Sequence, residues 1–268
     1  MNLLAFDCST EQLSAAVQRG GAQWRVNAAG GAHASSAILD TLSSLMGRAG
    51  LALADLDAIV FGRGPGAFTG LRTACAVAQG LAYGARAHGA GVPVLPVDTL
   101  LAVAEAARLQ HTRTRSVLAL LDARMDEVYA AEYVFERGGS WRCVRPPLVC
   151  APEDVPAPAM PDTVLAGNAF AAYGARLPAA LAALQRIEAL PTAPALLRLA
   201  PSLLAAGSAV PAEQALPLYI RDRVALTTAE REAAREETAH EAEPEPAREP
   251  ASEASARTVE TPQELTLF

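Results

Sequence analysis

Apolar positions in the first hundred residues follow two periods. Runs at 3–7 (LLAFD), 13–18 (LSAAVQ), 22–26 (AQWRV) and 56–62 (LDAIVFG) have strand length, and a glycine pair at 20–21 turns the second into the third. Residues 33–49 place Ile38, Leu39, Leu42, Leu45 and Met46 at helical spacing, with Gly50 as a stop. A second helix is expected over 67–86. The segment 91–97 (GVPVLPV) reads as edge-type, because its two prolines cannot donate to a ladder.

The second half repeats the plan. An apolar run ending in aspartate (116–122) precedes strand-like 127–136, a glycine pair at 138–139, strand-like 141–150 and 163–167, and a helix over 193–207. Leu13 follows Asp7 by six residues, as Val128 follows Asp122. Two such units predict an α/β fold of two related lobes, 1–97 and 98–228, with a cleft between them.

Charge changes the picture at the C-terminus. Residues 229–268 hold eleven Glu and four Arg, a net of −7, whereas 1–228 balance 18 Arg against 18 acidic residues. The Glu-, Pro-, Ala- and Ser-rich tail cannot bury enough apolar surface to fold and is expected to be disordered. Its QELTLF end, with Leu265, Leu267 and Phe268, reads as a frayed terminus or a short docking peptide. No basic run along the neutral body suggests RNA binding by this chain alone. The start has no basic leader, and no apolar run approaches the ~20 residues of a membrane span. Four cysteines without a CxxC pair predict buried free thiols and a reducing compartment.

Candidate chemistry gathers at two strand ends. Asp7, Ser9 and Thr10 could surround a phosphate or its magnesium ion, or could form a turn that satisfies its own amides. Asp122, Arg124 and Glu127 make a second polar corner, or an internal ion pair. The loop FGRGPGAFTGLR (61–72) has no lysine to complete a Walker sequence, and its glycines miss the dinucleotide spacing. Gly64 and Gly66 could still present amides to an anion at a helix start, or let two backbones approach closely. Beyond them, Gly70, Ala74, Ala78 and Ala82 recur every four residues beside Leu71, a small-residue stripe suited to a close helix neighbour. His33, His88, His111 and His240 lack the spacing of metal ligands, and no Ser–His or Cys–His grouping is recognisable.

The stretches LLAFDCST, FGRGPGAFTGLRTACAVAQGLAYG, LALLDARMDEVYAAEY and LPLYIRDRVA resemble, in order and spacing, the TsaB (YeaZ) family of bacterial tRNA threonylcarbamoyladenosine biosynthesis proteins. The resemblance covers about 1–225 and leaves out the acidic tail. It implies two ribonuclease-H-like lobes of the actin/Hsp70-like ATPase fold. It also implies a cytoplasmic, non-catalytic subunit that pairs with and activates TsaD, the metal-bearing threonylcarbamoyltransferase, with the ATPase TsaE completing the complex. tRNA would then be met only through the complex. The first two helices form the pairing surface in that family, so Ile38, Leu42, Leu45, Gly70, Leu71, Ala74, Ala78 and Ala82 are the expected contacts to TsaD, or to a second copy when TsaD is absent. Asp7, Ser9, Thr10, Gly64, Gly66, Asp122, Arg124 and Glu127 would line a vestigial nucleotide cleft. No cofactor is expected in the chain itself, with room left for a nucleotide at the joint interface. The competing expectation is a nucleotide hydrolase or peptidase acting alone.

Overall fold

The computed structural model describes residues 1–31, 34–85 and 91–221. Strands β1 (Asn2–Asp7), β2 (Gln12–Arg19) and β3 (Ala22–Ala29) form an antiparallel meander. β4 (Ala58–Gly64) and β5 (Val94–Asp98) then add in parallel on the other side of β1. The sheet order is β3-β2-β1-β4-β5. Leu4 and Phe6 of β1 enter the core on one face, Leu3 and Ala5 on the other, so the central strand reads as an unbroken apolar run. β5 is an edge strand, as expected from Pro96 within it and Pro93 just before it.

The second sheet repeats this order. β6 (Ser116–Arg124), β7 (Glu127–Phe135) and β8 (Trp141–Cys150) make the meander; β9 (Thr163–Gly167) and β10 (Arg186–Glu188) pair in parallel beyond β6. Its order, β8-β7-β6-β9-β10, matches the first sheet strand for strand. Asp7 pairs with Ser14, and Asp122 with Val128, so each aspartate ends the first strand of its sheet beside the opening of the second. The duplicated ribonuclease-H-like order is that of the actin-like ATPase folds.

Helices α1 (Ala34–Ala49) and α2 (Phe68–Gly84) cover one face of the first sheet. α3 (Thr99–Gln110) enters the cores of both sheets. The short helices α4 (Ala169–Tyr173) and α5 (Ala179–Ala182) pack on the second sheet through Ala169, Tyr173 and Leu181. α6 (Ala193–Ala205) belongs to the second half of the chain but packs on the first sheet. Its Leu196, Leu197 and Leu199 join Leu3, Ala5, Val60 and Leu95, and the Ala193 N–H donates to Ser14 Oγ at 3.0 Å. The 97/98 boundary therefore falls at the last residue of β5, just before α3, while packing carries α6 across it.

α3 does not stand out in the sequence because it has little polar face. Leu100, Val103, Ala104 and Ala107 are buried among both sheets, and so is Glu105. That carboxylate is held by the Trp141 indole N–H at 2.7 Å, Arg198 at 3.3 Å and Arg108 at 3.5 Å. The expectation of four buried thiols holds only for Cys8 and Cys75. Cys143 is exposed and Cys150 half-buried, because β8 is an edge strand. No described helix is long and apolar enough to cross a membrane. His33, His88, His240 and the acidic tail with its QELTLF end lie outside the described residues.

Candidate functional site: a closed cleft beside an exposed helix pair

Asp7 is fully buried at the end of β1. The Ser9 N–H and hydroxyl both donate to its Oδ1, at 2.8 and 2.6 Å, while its Oδ2 has no partner among the described residues. Loss of water outweighs the two Ser9 bonds and raises its pKa from 3.8 to about 6. The glycine loop is pressed against this corner. A Cβ at Gly62 would lie 1.7 Å from Asp7 Oδ2, and one at Gly70 would lie 1.8 Å from the Cys8 carbonyl. The Ala67 N–H, first in line for an anion at the start of α2, instead donates to the Ser9 carbonyl at 2.7 Å. At Gly66 a Cβ would meet the same carbonyl at 2.5 Å, and Thr10 Oγ1 accepts from the Gln12 N–H. Close backbone approach is what these glycines allow here.

The second corner is engaged by residues of the chain itself. Asp122 accepts from the Arg124 N–H at 2.7 Å and the Tyr173 hydroxyl at 3.2 Å, and pairs with the Arg124 guanidinium at 3.2 Å. Glu127 is bound by Arg221, which also donates to the Ala123 and Arg124 carbonyls. Arg221 ends a segment that sequence reasoning singled out only as a family likeness. The Leu218 N–H donates to the Arg63 carbonyl at 2.7 Å, and the Leu218 carbonyl lies 2.6 Å from where a Gly64 Cβ would be. Gly64 has φ +117°, which favours glycine there on conformational grounds as well. Tyr219 stacks on Phe68 at 5.5 Å and accepts from Arg72; Ile220 joins the core of the second sheet. From Leu218 to Arg221 the chain thus passes from the first corner to the second, a span of about 10 Å when extended. This strap occupies the space between Gly64 and Glu127.

The residues expected at an interface do not form an outward surface of this chain. Ile38, Leu42, Leu45, Gly70, Leu71, Ala74, Ala78 and Ala82 are all buried. Six of them lie within the first lobe's core, Leu71 is buried with its side chain against Gly64, and Gly70 sits against the Cys8 carbonyl. The small-residue stripe lets α2 settle closely on its own sheet. The opposite arc of α2 is exposed: Thr69, Arg72, Ala76, Gly80 and Tyr83. On α1, Leu39, Asp40, Ser43, Ser44 and Gly47 are exposed, with Leu39 55% and Tyr83 66% accessible. A Cβ at Gly47, Gly80 or Gly84 would meet nothing within 4 Å, so this second, outward surface is smooth as well. The signal was present in the sequence: Leu71 and Cys75 share the arc of the inner stripe, which marks that arc as core-facing.

Two sheets of one ribonuclease-H-like plan, sharing α3 between them, define an actin-like ATPase-fold protein whose two strand-end corners are joined by a strap of its own chain. Over residues 27–229 the sequence matches the family model for TsaD, tRNA N6-adenosine threonylcarbamoyltransferase. It is 35% identical over 233 residues to the tRNA threonylcarbamoyladenosine biosynthesis protein TsaB of Escherichia coli K12, covering 84% of this chain and 96% of that protein. Against TsaB of Haemophilus influenzae it is 37% identical over 181 residues, 65% of this chain and 74% of the relative. The solved structure of YeaZ from Pseudomonas aeruginosa superposes with a TM-score of 0.73 at 38% identity, over 81% of this chain and 99% of that one. The chain belongs to the TsaB (YeaZ) family within the wider TsaD group, and with it to tRNA threonylcarbamoyladenosine biosynthesis.

Proposed function

We propose that this chain is a non-catalytic cytoplasmic subunit that pairs with TsaD and activates it, with TsaE joining the assembly. The observation that carries this reading is the strap across the cleft. An actin-like fold that acted on its own nucleotide would keep the space beside Asp7 and Asp122 open. Here the Leu218 N–H is bonded to the Arg63 carbonyl and Arg221 to Glu127, so the strap ties the two corners together, while Ser9 engages Asp7 Oδ1 and Arg124 engages Asp122. Nor does the geometry favour a lone peptidase, since burial and Asp7 push the Cys8 thiol far above its ordinary range.

The surface that pairs is then the outer face of α1 and α2, around Leu39, Ser43, Ala76, Gly80 and Tyr83, and not the buried stripe. Small residues on that face allow the axes of a four-helix contact to approach closely. The same face would join two copies of this chain when TsaD is absent. tRNA modification by the purified chain alone is expected to be absent and to appear on addition of its TsaD, TsaE and the threonylcarbamoyl donor. Transfer of the threonylcarbamoyl group to tRNA by the isolated chain would refute this reading.

A further inference from the structure

Residues distant in sequence bring three arginines to one rim of the second lobe. Arg113 and Arg115 lie on the segment entering β6. Thr114, between them, is buried, its N–H closing a turn on the His111 carbonyl, while Arg113 and Arg115 on either side are exposed. The Phe135 N–H donates to the Arg115 carbonyl at 2.7 Å, which fixes the end of β7 against this segment and places Arg137 two residues further on, in the turn before β8. All three line one open cleft of about 960 Å³.

Their charge is not spent inside the molecule. Arg113, Arg115 and Arg137 are exposed and have no ion pair or hydrogen bond among the described residues. Most other described arginines are engaged, including Arg63, Arg108, Arg124, Arg142, Arg145, Arg176, Arg198 and Arg221. Of the carboxylates in the cleft lining, Glu136 is already paired with Arg142 at 2.8 Å, which leaves Asp162 alone against three positive groups. A run of like charge with a net excess is costly to keep together unless a polyanion meets it.

We propose that this cleft contacts the phosphate backbone of an RNA strand. The proposal rests on the chain's place in tRNA modification and gives this subunit its own grip on the substrate. Arginine suits phosphate through its fork of donors. Base stacking is not part of the contact, because the Phe135 ring is already covered by Arg108 at 3.7 Å and abuts Trp141 at 5.2 Å. Contact is therefore to phosphates, and insensitive to sequence.

The test uses the full chain paired with its TsaD and an unmodified tRNA transcript, with affinity measured at salt concentrations from about 50 to 200 mM. Replacing Arg113, Arg115 and Arg137 together by Gln should weaken binding at least about tenfold and reduce the slope of log K against log salt by about 2–3. Arg25→Gln, an equally unpartnered arginine on β3, should change neither. Unchanged affinity and slope in the triple variant, with the pair eluting intact, would overturn the proposal. So would competition by polyglutamate as effective as that by tRNA at equal charge, which would assign the cleft to an acidic protein. If the wild-type chain fails to pair with TsaD, the proposed function falls instead, and the same titration on the chain alone still decides the cleft.

Discussion

At Asp7, burial and the two bonds from Ser9 pull in opposite directions, and burial prevails. With its folded pKa raised from 3.8 to about 6, the folded state holds its proton more tightly than the unfolded chain does. Stability from this group is therefore greatest at acid pH, declines as pH rises from 3.8, and is fully lost above about 6. A shift of that size corresponds to about 3 kcal/mol at neutral pH. Asp7→Asn keeps an acceptor for Ser9 and removes the charge, but leaves an amide facing Gly62. The variant is expected to be more stable than the wild type by about 1–3 kcal/mol near pH 8, with the gap closing toward pH 4. Urea denaturation across pH measures it; a gap that does not change with pH would contradict the cause given. That Asp7 and Asp122 end equivalent strands was legible from the apolar runs. The closing of the second corner was not, because Asp122 meets Tyr173 and Glu127 meets Arg221, at separations of 51 and 94 residues.

Among the elements, α2 shows how one helix can carry two smooth surfaces. The inner one, Gly70 to Ala82, is bound to the sheet; the outer one, through Ala76 and Gly80, is exposed among the described residues. Substitutions on the two should separate cleanly. Ala78→Arg places a charge at a fully buried position and is expected to unfold the lobe, lowering thermal stability severely. Gly80→Arg meets open space and removes a helix-interior glycine, so stability should hold or rise by up to about 1 kcal/mol. Yet it should abolish co-elution with TsaD. Normal pairing by the Gly80 variant would place the contact elsewhere. The extents of α1, α2 and β1 to β9 were legible within a few residues, since their periods are regular, whereas the three-residue β10 was not. α3 escaped because two sheets bury it from both sides and erase its amphipathic stripe.

Taken as a whole, the molecule is a duplication whose halves are not separable. The repeated strand order was legible in the spacing of Asp7 and Asp122 from the strands that follow, whereas the strap and the return of α6 were not. Both depend on where a late segment lands after the sheets exist, which no local pattern encodes. The arginine rim escaped for the same reason, since Arg113 and Arg137 meet only across β6 and β7. The placement of α6 makes a fragment experiment decisive. Residues 1–97 alone leave Leu3, Ala5, Val60 and Leu95 without the helix that covers them, and are expected to aggregate when expressed. Co-expression with 98–221 should return soluble protein, and a soluble monomeric 1–97 would show that α6 is dispensable to that face.

A ribosome makes the first sheet long before it makes α6. At about 5–20 residues per second, roughly 5–20 s pass between the emergence of β5 and that of Ala205. For that interval one greasy flank of the nascent lobe is bare, and a chaperone, or a pause in translation, has a defined stretch of time in which to matter.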